Sequence, residues 1–307
     1  MKVGVLDIGS NSLRGLWGDV DEDLCFIKRG AKLLTTRLGE GMSSVERVLR
    51  EEAVERTLKG LLELCRDFRD NGVTEVYAFA TSAVREASNK DWFLTLVRLE
   101  TGLNVDVLSG REEAFQNLLG VEVGLGIKDH YLLFDIGGGS TEIILKNGED
   151  VFLKSIPIGA LKLKRVRFSS LNEGVSFLKK LWEKELASIR SSLQGVKNFV
   201  GVGGTLSALA LFKEGLSFYD IRIAHGNRIE LDWLADKILY LSRLSQTELE
   251  RFFSFDPGRS YVIYEGSLIL LSLMDFLGIP SLLVSETNLL WGGLVKKWGV
   301  KKFLFGS

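Results

Sequence analysis

The sequence predicts an α/β protein built from two similar lobes. Its length of 307 residues corresponds to about two domains of ordinary size. One pattern, an apolar run, an acid, a glycine turn and a second apolar run, occupies residues 3–17 and recurs at residues 131–145. Each copy is followed by stretches with the periodicity of strands and helices. Because ligand sites often lie at domain interfaces, two such lobes also predict an interlobe cleft.

The first lobe is predicted to start with strands and to continue with alternating helices and strands. Its predicted strands are residues 3–7, 13–17, 25–34, 76–80 and 104–108. A helix is predicted over residues 50–69, because apolar side chains recur there on one helical face. Ser88 and Asp91 have the spacing of a capping box, which predicts a second helix running from Ser88 to Glu100. Another helix is predicted to begin at Ser109.

The second lobe repeats this order of elements. Its predicted strands are residues 131–135, 142–145, 151–157, 197–201 and 281–285. Its predicted helices are residues 160–167, 172–193, three segments within 231–275, and 286–297. The predicted lobes are therefore residues 1–117 and 118–307, and an arrangement in which the last helix, 286–299, packs back on the first lobe is left open.

Composition limits the classes of function. Hydrophobic residues at 46% and charged residues at 26% are ordinary for a soluble globular protein. The net charge of −1 gives no general attraction to nucleic acid or membranes, so phosphate binding has to be local. Two distant cysteines favour a reducing, cytoplasmic location, and two histidines nearly exclude a His-based zinc site. The first residues become acidic too soon for a signal peptide, and charged or helix-breaking residues interrupt the apolar run 268–284.

Three polar glycine turns follow predicted strands, around Gly9, Gly138 and Gly203. Successive backbone N–H groups in such turns can form an anion-binding nest, and a helix that starts at Thr205 would add its positive end. Asp135 and Glu142 flank the second turn and could hold a metal ion that binds phosphate. A plain β-hairpin is the alternative for this second turn. The common nucleotide-binding fingerprints are missing, including the G-x-x-x-x-G-K-[ST] loop.

Five segments together resemble the exopolyphosphatase / guanosine pentaphosphate phosphohydrolase (Ppx/GppA) family. They are Asp7–Arg14, Ala80–Ala87, Ser109–Ala114, Asp135–Glu142 and Gly201–Ala210. The resemblance implies two ribonuclease H-like lobes of the actin-like, Hsp70-like and sugar-kinase-like kind. It also implies the short form of the family, without a C-terminal helical extension.

The implied reaction is attack of water on the terminal phosphate of polyphosphate or of guanosine pentaphosphate, with release of orthophosphate. By resemblance, Glu113 positions or activates the water and Arg85 contacts phosphate, while Asp7, Asp135 and Glu142 hold Mg²⁺ or another divalent cation. Glu112 is interpreted as a helix-terminal acid. The implied phosphate ligands are Gly9, Ser10, Asn11, Ser12, Arg14, Gly137, Gly138, Gly139, Ser140, Thr141, Gly203, Gly204, Thr205 and Arg259.

One departure from the family pattern affects the choice of substrate. Leu290 and Trp291 stand where family members commonly carry an arginine and an acid, so a polar contact there is in doubt. The sequence does not choose among polyphosphate, guanosine pentaphosphate and ATP. Two other functions stay open, a small-molecule kinase and a non-catalytic regulator that binds nucleotide or polyphosphate. No nucleic-acid or membrane partner is expected, and a homodimer is one alternative for the oligomeric state.

Overall fold

The chain divides into two compact units in a computed structural model that describes residues 1–42, 47–166, 168–193 and 195–305. Unit 1 comprises Met1–Gly126 together with Thr287–Ser307. Unit 2 is the continuous stretch Ile127–Glu286. Unit 1 is therefore discontinuous in sequence. The residue predicted to end the first lobe, 117, lies inside the helix Gly110–Leu125.

Strands and helices alternate along both units. The strands are β1 (Lys2–Ile8), β2 (Ser12–Val20), β3 (Cys25–Thr35), β4 (Glu75–Ala80), β5 (Val105–Val107), β6 (Tyr131–Ile136), β7 (Thr141–Asn147), β8 (Asp150–Ile156), β9 (Asn198–Val202), β10 (Arg228–Glu230), β11 (Ser281–Ser285) and β12 (Lys302–Leu304). The helices are α1 (Glu51–Asp70), α2 (Ser82–Glu86), α3 (Lys90–Thr101), α4 (Gly110–Leu125), α5 (Ala160–Lys164), α6 (Leu171–Leu186), α7 (Gly204–Lys213), α8 (Ile221–Ala224), α9 (Leu231–Leu241), α10 (Gln246–Phe252), α11 (Pro257–Ser260), α12 (Ile263–Leu277) and α13 (Leu289–Trp298).

Unit 1 is built on a mixed sheet with the strand order β12-β3-β2-β1-β4-β5. β1, β2 and β3 form an antiparallel meander, and β4 and β5 continue the sheet in parallel. Helix α1 buries an apolar face that includes Leu64 and Phe68. Both side chains lie over glycines of the sheet, Gly4 and Gly15, where a side chain would collide with them. The helix can therefore approach the sheet closely, as its apolar periodicity requires.

Unit 2 repeats the order of five of these strands, β3-β2-β1-β4-β5, and differs in its sixth strand, the antiparallel β10 at the opposite edge. Read from β8, its sheet has the order β8-β7-β6-β9-β11-β10. In each unit the first three strands form the antiparallel meander, and the fourth strand pairs in parallel with the first. Trp182 of α6 is fully buried in the core and its indole donates a hydrogen bond to the Ser272 hydroxyl at 3.0 Å. The prediction of two similar α/β lobes is confirmed.

Several predicted helix boundaries are wrong. The last helix, predicted over residues 286–297, begins at Leu289, and the helix predicted over residues 160–167 ends at Lys164. Helix α3 begins at Lys90 rather than at Ser88, and its N-cap is Asn89. The capping-box prediction fails because both the backbone N–H and the hydroxyl of Ser88 donate to the Arg47 carbonyl. The long helix predicted over residues 172–193 ends at Leu186, and a 3₁₀ helix, Ala187–Leu193, continues from it.

Helix α13 packs against α4 within unit 1 at backbone contact distance. A Cβ atom on Gly292 would lie closer than 3.0 Å to the backbone carbonyl of Gln116. A Cβ atom on Gly120 would likewise lie closer than 3.0 Å to the backbone carbonyl of Asn288. The Gln116 amide also donates to the Leu289 carbonyl at 2.9 Å. Glycine on both helices is therefore what permits this close packing.

The departure at Leu290 and Trp291 has a structural explanation. Both side chains are buried in unit 1. The Trp291 ring makes edge contacts with Phe26, Phe303 and Phe305 at centroid distances of 5.7, 4.9 and 5.3 Å. An aromatic cluster of this kind contributes to stability beyond the area it buries. In this chain the two positions belong to the apolar core.

Candidate active-site residues in the two units

The first glycine turn joins β1 to β2 in unit 1. The N–H of Gly9 donates to the Ser12 carbonyl at 3.1 Å. A Cβ atom on Gly9 would lie 2.9 Å from that same oxygen, so no larger residue fits there without a shift of the backbone. The Asn11 carbonyl accepts hydrogen bonds from the N–H groups of Thr36 and Arg37 at 3.1 and 2.9 Å. These bonds hold the turn against the loop that follows β3.

Ser10 connects this turn to helix α2. Its hydroxyl lies 2.8 Å from the Ser82 hydroxyl and accepts a hydrogen bond from the Ala83 N–H at 3.1 Å. Ser12 is buried, whereas Asn11 and Arg14 are exposed. The structure thus brings the first turn together with the helix that carries Arg85. Sequence reasoning missed Ser82, although it lies inside the segment Ala80–Ala87 that carries the resemblance.

Arg85 and Glu113 form an ion pair. An Nη atom of Arg85 donates to Glu113 Oε2 at 2.9 Å and to the Leu108 carbonyl at 2.8 Å. Both side chains are about one-third exposed, with relative exposures of 29% and 32%. The backbone carbonyl therefore fixes the arginine, and the arginine orients the carboxylate toward a partly solvated face. The sequence gives no signal for the role of Leu108, because any residue supplies a carbonyl.

The adjacent Glu112 has a different environment. Its carboxylate accepts a hydrogen bond from the Ser109 N–H at 2.8 Å, and the Ser109 hydroxyl accepts one from the Glu112 N–H. This is a complete capping box at the start of α4. The hydrogen bonds from Ser109 lower the pKa of Glu112. Glu112 thus stabilises the helix terminus, while its neighbour Glu113 contacts Arg85.

Asp7 lies at the end of β1 and is almost fully buried, with 5% relative exposure. Burial raises the pKa of its carboxyl to about 6, the Arg14 charge opposes this rise, and the Glu113 charge adds to it. Its Oδ1 atom has no hydrogen-bond partner among the described residues. A buried carboxylate oxygen without a donor is costly, and a divalent cation is one group that would satisfy it. Asp7 therefore fits the predicted role of a metal ligand.

Replacing Asp7 by asparagine is expected to stabilise the metal-free protein above pH 6. The folded-state pKa of about 6 exceeds the usual 3.8, so the folded state binds more protons than the unfolded state between these values. Wild-type stability therefore falls as the pH rises from 4 to 6, by about 3 kcal/mol in total. Asparagine does not titrate and escapes this loss.

Denaturant titrations in a chelator from pH 4 to pH 8 measure this effect. The stability difference between Asp7→Asn and the wild type should grow as the pH rises to 6 and then level off. Added Mg²⁺ should stabilise the wild type more than the variant. A difference that is constant from pH 4 to pH 8 would show that Asp7 titrates normally.

The second glycine turn, between β6 and β7 of unit 2, bonds to the start of α5. The Gly137 N–H donates to the Ser140 carbonyl at 3.0 Å. The carbonyls of Gly137 and Gly138 accept from the N–H groups of Ala160 and Leu161, both at 2.9 Å. A Cβ atom on Gly139 would meet only the far end of the Lys162 side chain, at 3.9 Å. The turn is therefore anchored through its carbonyls, and its Gly139 edge is open.

Thr141 and Glu142 follow the turn on β7. The Thr141 hydroxyl is buried and donates to the Ile158 carbonyl at 2.7 Å, so its proton is engaged within the unit. Glu142 lies opposite Asp135 in the β6–β7 ladder, and its Oε1 atom accepts from the Ser155 hydroxyl at 2.8 Å. Directly opposed residues of neighbouring strands are close enough for two carboxylates to share a cation.

In the described part of the chain, no three histidine, cysteine, aspartate or glutamate side chains form a metal-binding group. Asp135 and Glu142 belong to unit 2, whereas Asp7 belongs to unit 1. The carboxylates fit Mg²⁺ by their chemistry, because hard oxygen ligands bind this ion together with water and substrate phosphate. Their joint role as metal ligands stays a prediction.

The third turn precedes helix α7 and packs on Asp135. Gly203 has a φ of +102°, a conformation that favours glycine. A Cβ atom there would lie 3.1 Å from Asp135 Oδ1. The Arg259 guanidinium lies directly against Gly204, the first residue of α7. Two positive features, a guanidinium and a helix N-terminus, thus face each other, and an anion bound beside both would be stabilised.

The Thr205 hydroxyl does not face this turn. It is fully buried against Gly266 of α12, and the structure describes no hydrogen-bond partner for it. Its position in the first turn of α7 made it a candidate phosphate ligand. Because the side chain packs toward α12, any contact with phosphate would come from its backbone N–H.

The described residues contain no helix that is both long enough and apolar enough to cross a membrane. The apolar run at residues 268–284 includes most of α12, the loop after it and part of β11. It fills the core of unit 2. The prediction that this run is not a membrane span agrees with these positions.

Comparisons of this sequence with those of known proteins match it to a family of phosphatases. A model of the Ppx/GppA phosphatase family matches residues 29–299. The chain is 31% identical to the bifunctional 3-dehydroquinate synthase/phosphatase of Fusobacterium nucleatum, covering 95% of this chain and 46% of that relative. This chain thus spans about half the length of that relative. It is 29% identical to exopolyphosphatase 2 of Mycobacterium tuberculosis, covering 95% of this chain and 97% of the relative.

Solved structures give the same result. The Ppx/GppA phosphatase of Aquifex aeolicus superposes with a TM-score of 0.83 at 27% identity, covering 97% of this chain and 99% of that one. An exopolyphosphatase from Cytophaga hutchinsonii superposes with a TM-score of 0.81 at 22% identity, which supports the fold alone. The resemblance predicted from five segments, and the phosphohydrolase class it implies, are confirmed. This chain belongs to the Ppx/GppA phosphatase family.

Proposed function

We propose that this protein hydrolyses the terminal phosphoanhydride bond of inorganic polyphosphate or of guanosine pentaphosphate and releases orthophosphate. The observation that carries the proposal is the Arg85–Glu113 pair at the start of α4. The buried carboxyl of Asp7 lies close enough for the Glu113 charge to raise its pKa. The names of the relatives, exopolyphosphatase among them, support the substrate class.

In unit 1, Glu113 accepts a hydrogen bond from the attacking water. A carboxylate in the first turn of a helix is favoured in its charged form, so Glu113 stays an acceptor at neutral pH. Arg85 holds this carboxylate in position and offers its remaining N–H groups to phosphate oxygens. Phosphoryl transfer needs mainly such positioning and neutralisation of charge. The turn at Gly9–Ser12, with Arg14, supplies further hydrogen-bond donors.

In unit 2, phosphate binds at the positive end of α7. The N–H groups of Gly204 and Thr205 and the guanidinium of Arg259 are the donors. The turn Gly137–Ser140 contributes its own backbone N–H groups. A Mg²⁺ ion held by Asp135 and Glu142, which lie opposite each other in unit 2, would neutralise charge that develops on the phosphate oxygens.

Phosphate release from three substrates in parallel tests the proposal. With Mg²⁺ present, we expect release from long-chain polyphosphate, from guanosine pentaphosphate, or from both, at a higher kcat/KM than from ATP. A chelator should abolish it. If phosphate is released from none of the three substrates, the proposal is overturned and a binding regulator is favoured. Transfer from ATP to a small acceptor without hydrolysis would favour a kinase.

Two further expectations stay predictions. A homodimer would be detected as a doubled molar mass in light scattering. A cytoplasmic location would be tested by fractionating cells of the source organism.

A further inference from the structure

The second glycine turn directs two backbone N–H groups away from its own unit. The carbonyls of Gly137 and Gly138 accept hydrogen bonds from N–H groups of α5. In a planar trans peptide group the N–H points opposite to the C=O. The N–H groups of Gly138 and Gly139 therefore point away from α5, and no residue within the described ranges accepts from either of them. Successive N–H groups of this kind form a nest that favours an anion.

The two glycines at the tip of this turn have different neighbours. A Cβ atom on Gly138 would lie 2.8 Å from Leu161 Cδ1, so an apolar side chain covers that glycine. A Cβ atom on Gly139 would meet Lys162 Cε at 3.9 Å, and Gly139 itself is exposed. The ammonium of Lys162 is one bond beyond that carbon. It therefore lies beside the open edge of the turn.

The positive charge of Lys162 is available to a ligand. Its Nζ atom donates to the Pro157 carbonyl at 3.3 Å, a long hydrogen bond between exposed groups. No acid in the part of the chain that the structure describes forms an ion pair with this ammonium, whereas the nearby Lys164 pairs with Glu265 at 3.1 Å. An ammonium has three donors, so two remain. A charged phosphate oxygen would also be a stronger acceptor than the Pro157 carbonyl.

We propose that Lys162 is a further phosphate-binding residue of unit 2. The N–H groups of Gly138 and Gly139 orient a phosphate group, and the ammonium of Lys162, a point charge on a flexible stem, neutralises it. Asp135 and Glu142 flank the turn, so a local cation also offsets their repulsion of an anion. The inference rests on the proposed function. It adds a cation to a turn for which the resemblance implies only backbone and hydroxyl donors.

Calorimetric titration of the full chain with methylenediphosphonate in Mg²⁺ buffer tests this contact. The probe carries two phosphonate groups and no phosphoanhydride bond, so binding is measured without hydrolysis. Lys162→Met should weaken binding about tenfold, because a charge-assisted contact is lost, and should make binding less sensitive to salt. Lys162→Arg keeps the charge and N–H donors and should bind nearly as the wild type does.

Lys180→Met is the matched control, because it removes the charge of an exposed lysine of α6 that makes none of the contacts described for the turn. Its binding should equal that of the wild type, and thermal melts verify that every variant is folded. The proposal is overturned if the wild type does not bind the probe or if folded Lys162→Met binds it as tightly. An equal loss in Lys180→Met would also overturn it.

Phosphate release from polyphosphate, measured on the same preparations, separates this inference from the proposed function. If the wild type releases no phosphate but its binding of the probe depends on Lys162, only the proposed function is overturned. If Lys162→Met binds the probe and releases phosphate as the wild type does, only the role of Lys162 is overturned.

Discussion

Replacing Glu113 by glutamine is expected to lower the turnover number for phosphate release about 10²–10⁴-fold, the usual contribution of a general base. Glutamine keeps the size of the side chain and its carbonyl can still accept from Arg85, so the local geometry should survive. The ability to take a proton from water is lost. Because the glutamate is partly exposed and a glutamine carbonyl can take over its contact with Arg85, the melting temperature and KM should change little.

Glu112→Gln is the matched control, since the two acids are adjacent on α4. The Glu112 carboxylate accepts from the Ser109 N–H and completes the capping box. Its replacement should lower the melting temperature slightly and leave turnover near the wild-type value. Initial rates of phosphate release and thermal melts on the same preparations separate the two effects. Full turnover in Glu113→Gln, or an equal loss in both variants, would contradict the catalytic role of Glu113.

Replacing Gly292 by alanine is expected to destabilise unit 1 by about 3 kcal/mol or more, at the upper end of the cost of overpacking. The added methyl group would collide with the backbone carbonyl of Gln116, which cannot move aside as a flexible side chain can. Helix α13 would have to separate from α4, which would also disturb the Trp291 cluster. Against a total stability of about 5–15 kcal/mol, this is a large fraction.

Gly110→Ala is the control, because it adds the same methyl group to α4 where nothing lies within 4 Å of it. Alanine is the better helix former, so this variant should be as stable as the wild type or slightly more so. Urea titrations followed by tryptophan fluorescence give both free energies. A Gly292→Ala variant that unfolds at the wild-type midpoint would show that the helices can separate at little cost.

The fold could be predicted where its signals are local. The apolar runs and glycine turns at residues 3–17 and 131–145 predict paired strands in two similar lobes, and both pairs are present. Sequence alone leaves open which unit the C-terminal residues join, since this depends on contacts between α4 and α13, two helices that are distant in sequence. Ser88 failed as a cap for the same reason, because its partner, the Arg47 carbonyl, lies on another segment.

The candidate site shows the same limit. The structure places Glu112 in a capping box and pairs Glu113 with Arg85, and the roles that the motifs assign to the two acids stay predictions. Motifs carry no information on where a hydroxyl points. In the structure the Thr141 hydroxyl donates to the Ile158 carbonyl, and the Thr205 side chain packs against α12. The raised pKa of Asp7 likewise follows from burial. The interlobe cleft and the shared metal site stay predictions.

The discontinuity of unit 1 has a consequence for biosynthesis. Chains emerge from the ribosome N-terminus first, and domains generally fold as units during synthesis. All of unit 2, Ile127–Glu286, is synthesised before α13 and β12 exist. Until then α4 lacks its glycine-packed partner, and β3 remains an uncovered sheet edge. The unit that starts second in the sequence is thus the first that the nascent chain can complete.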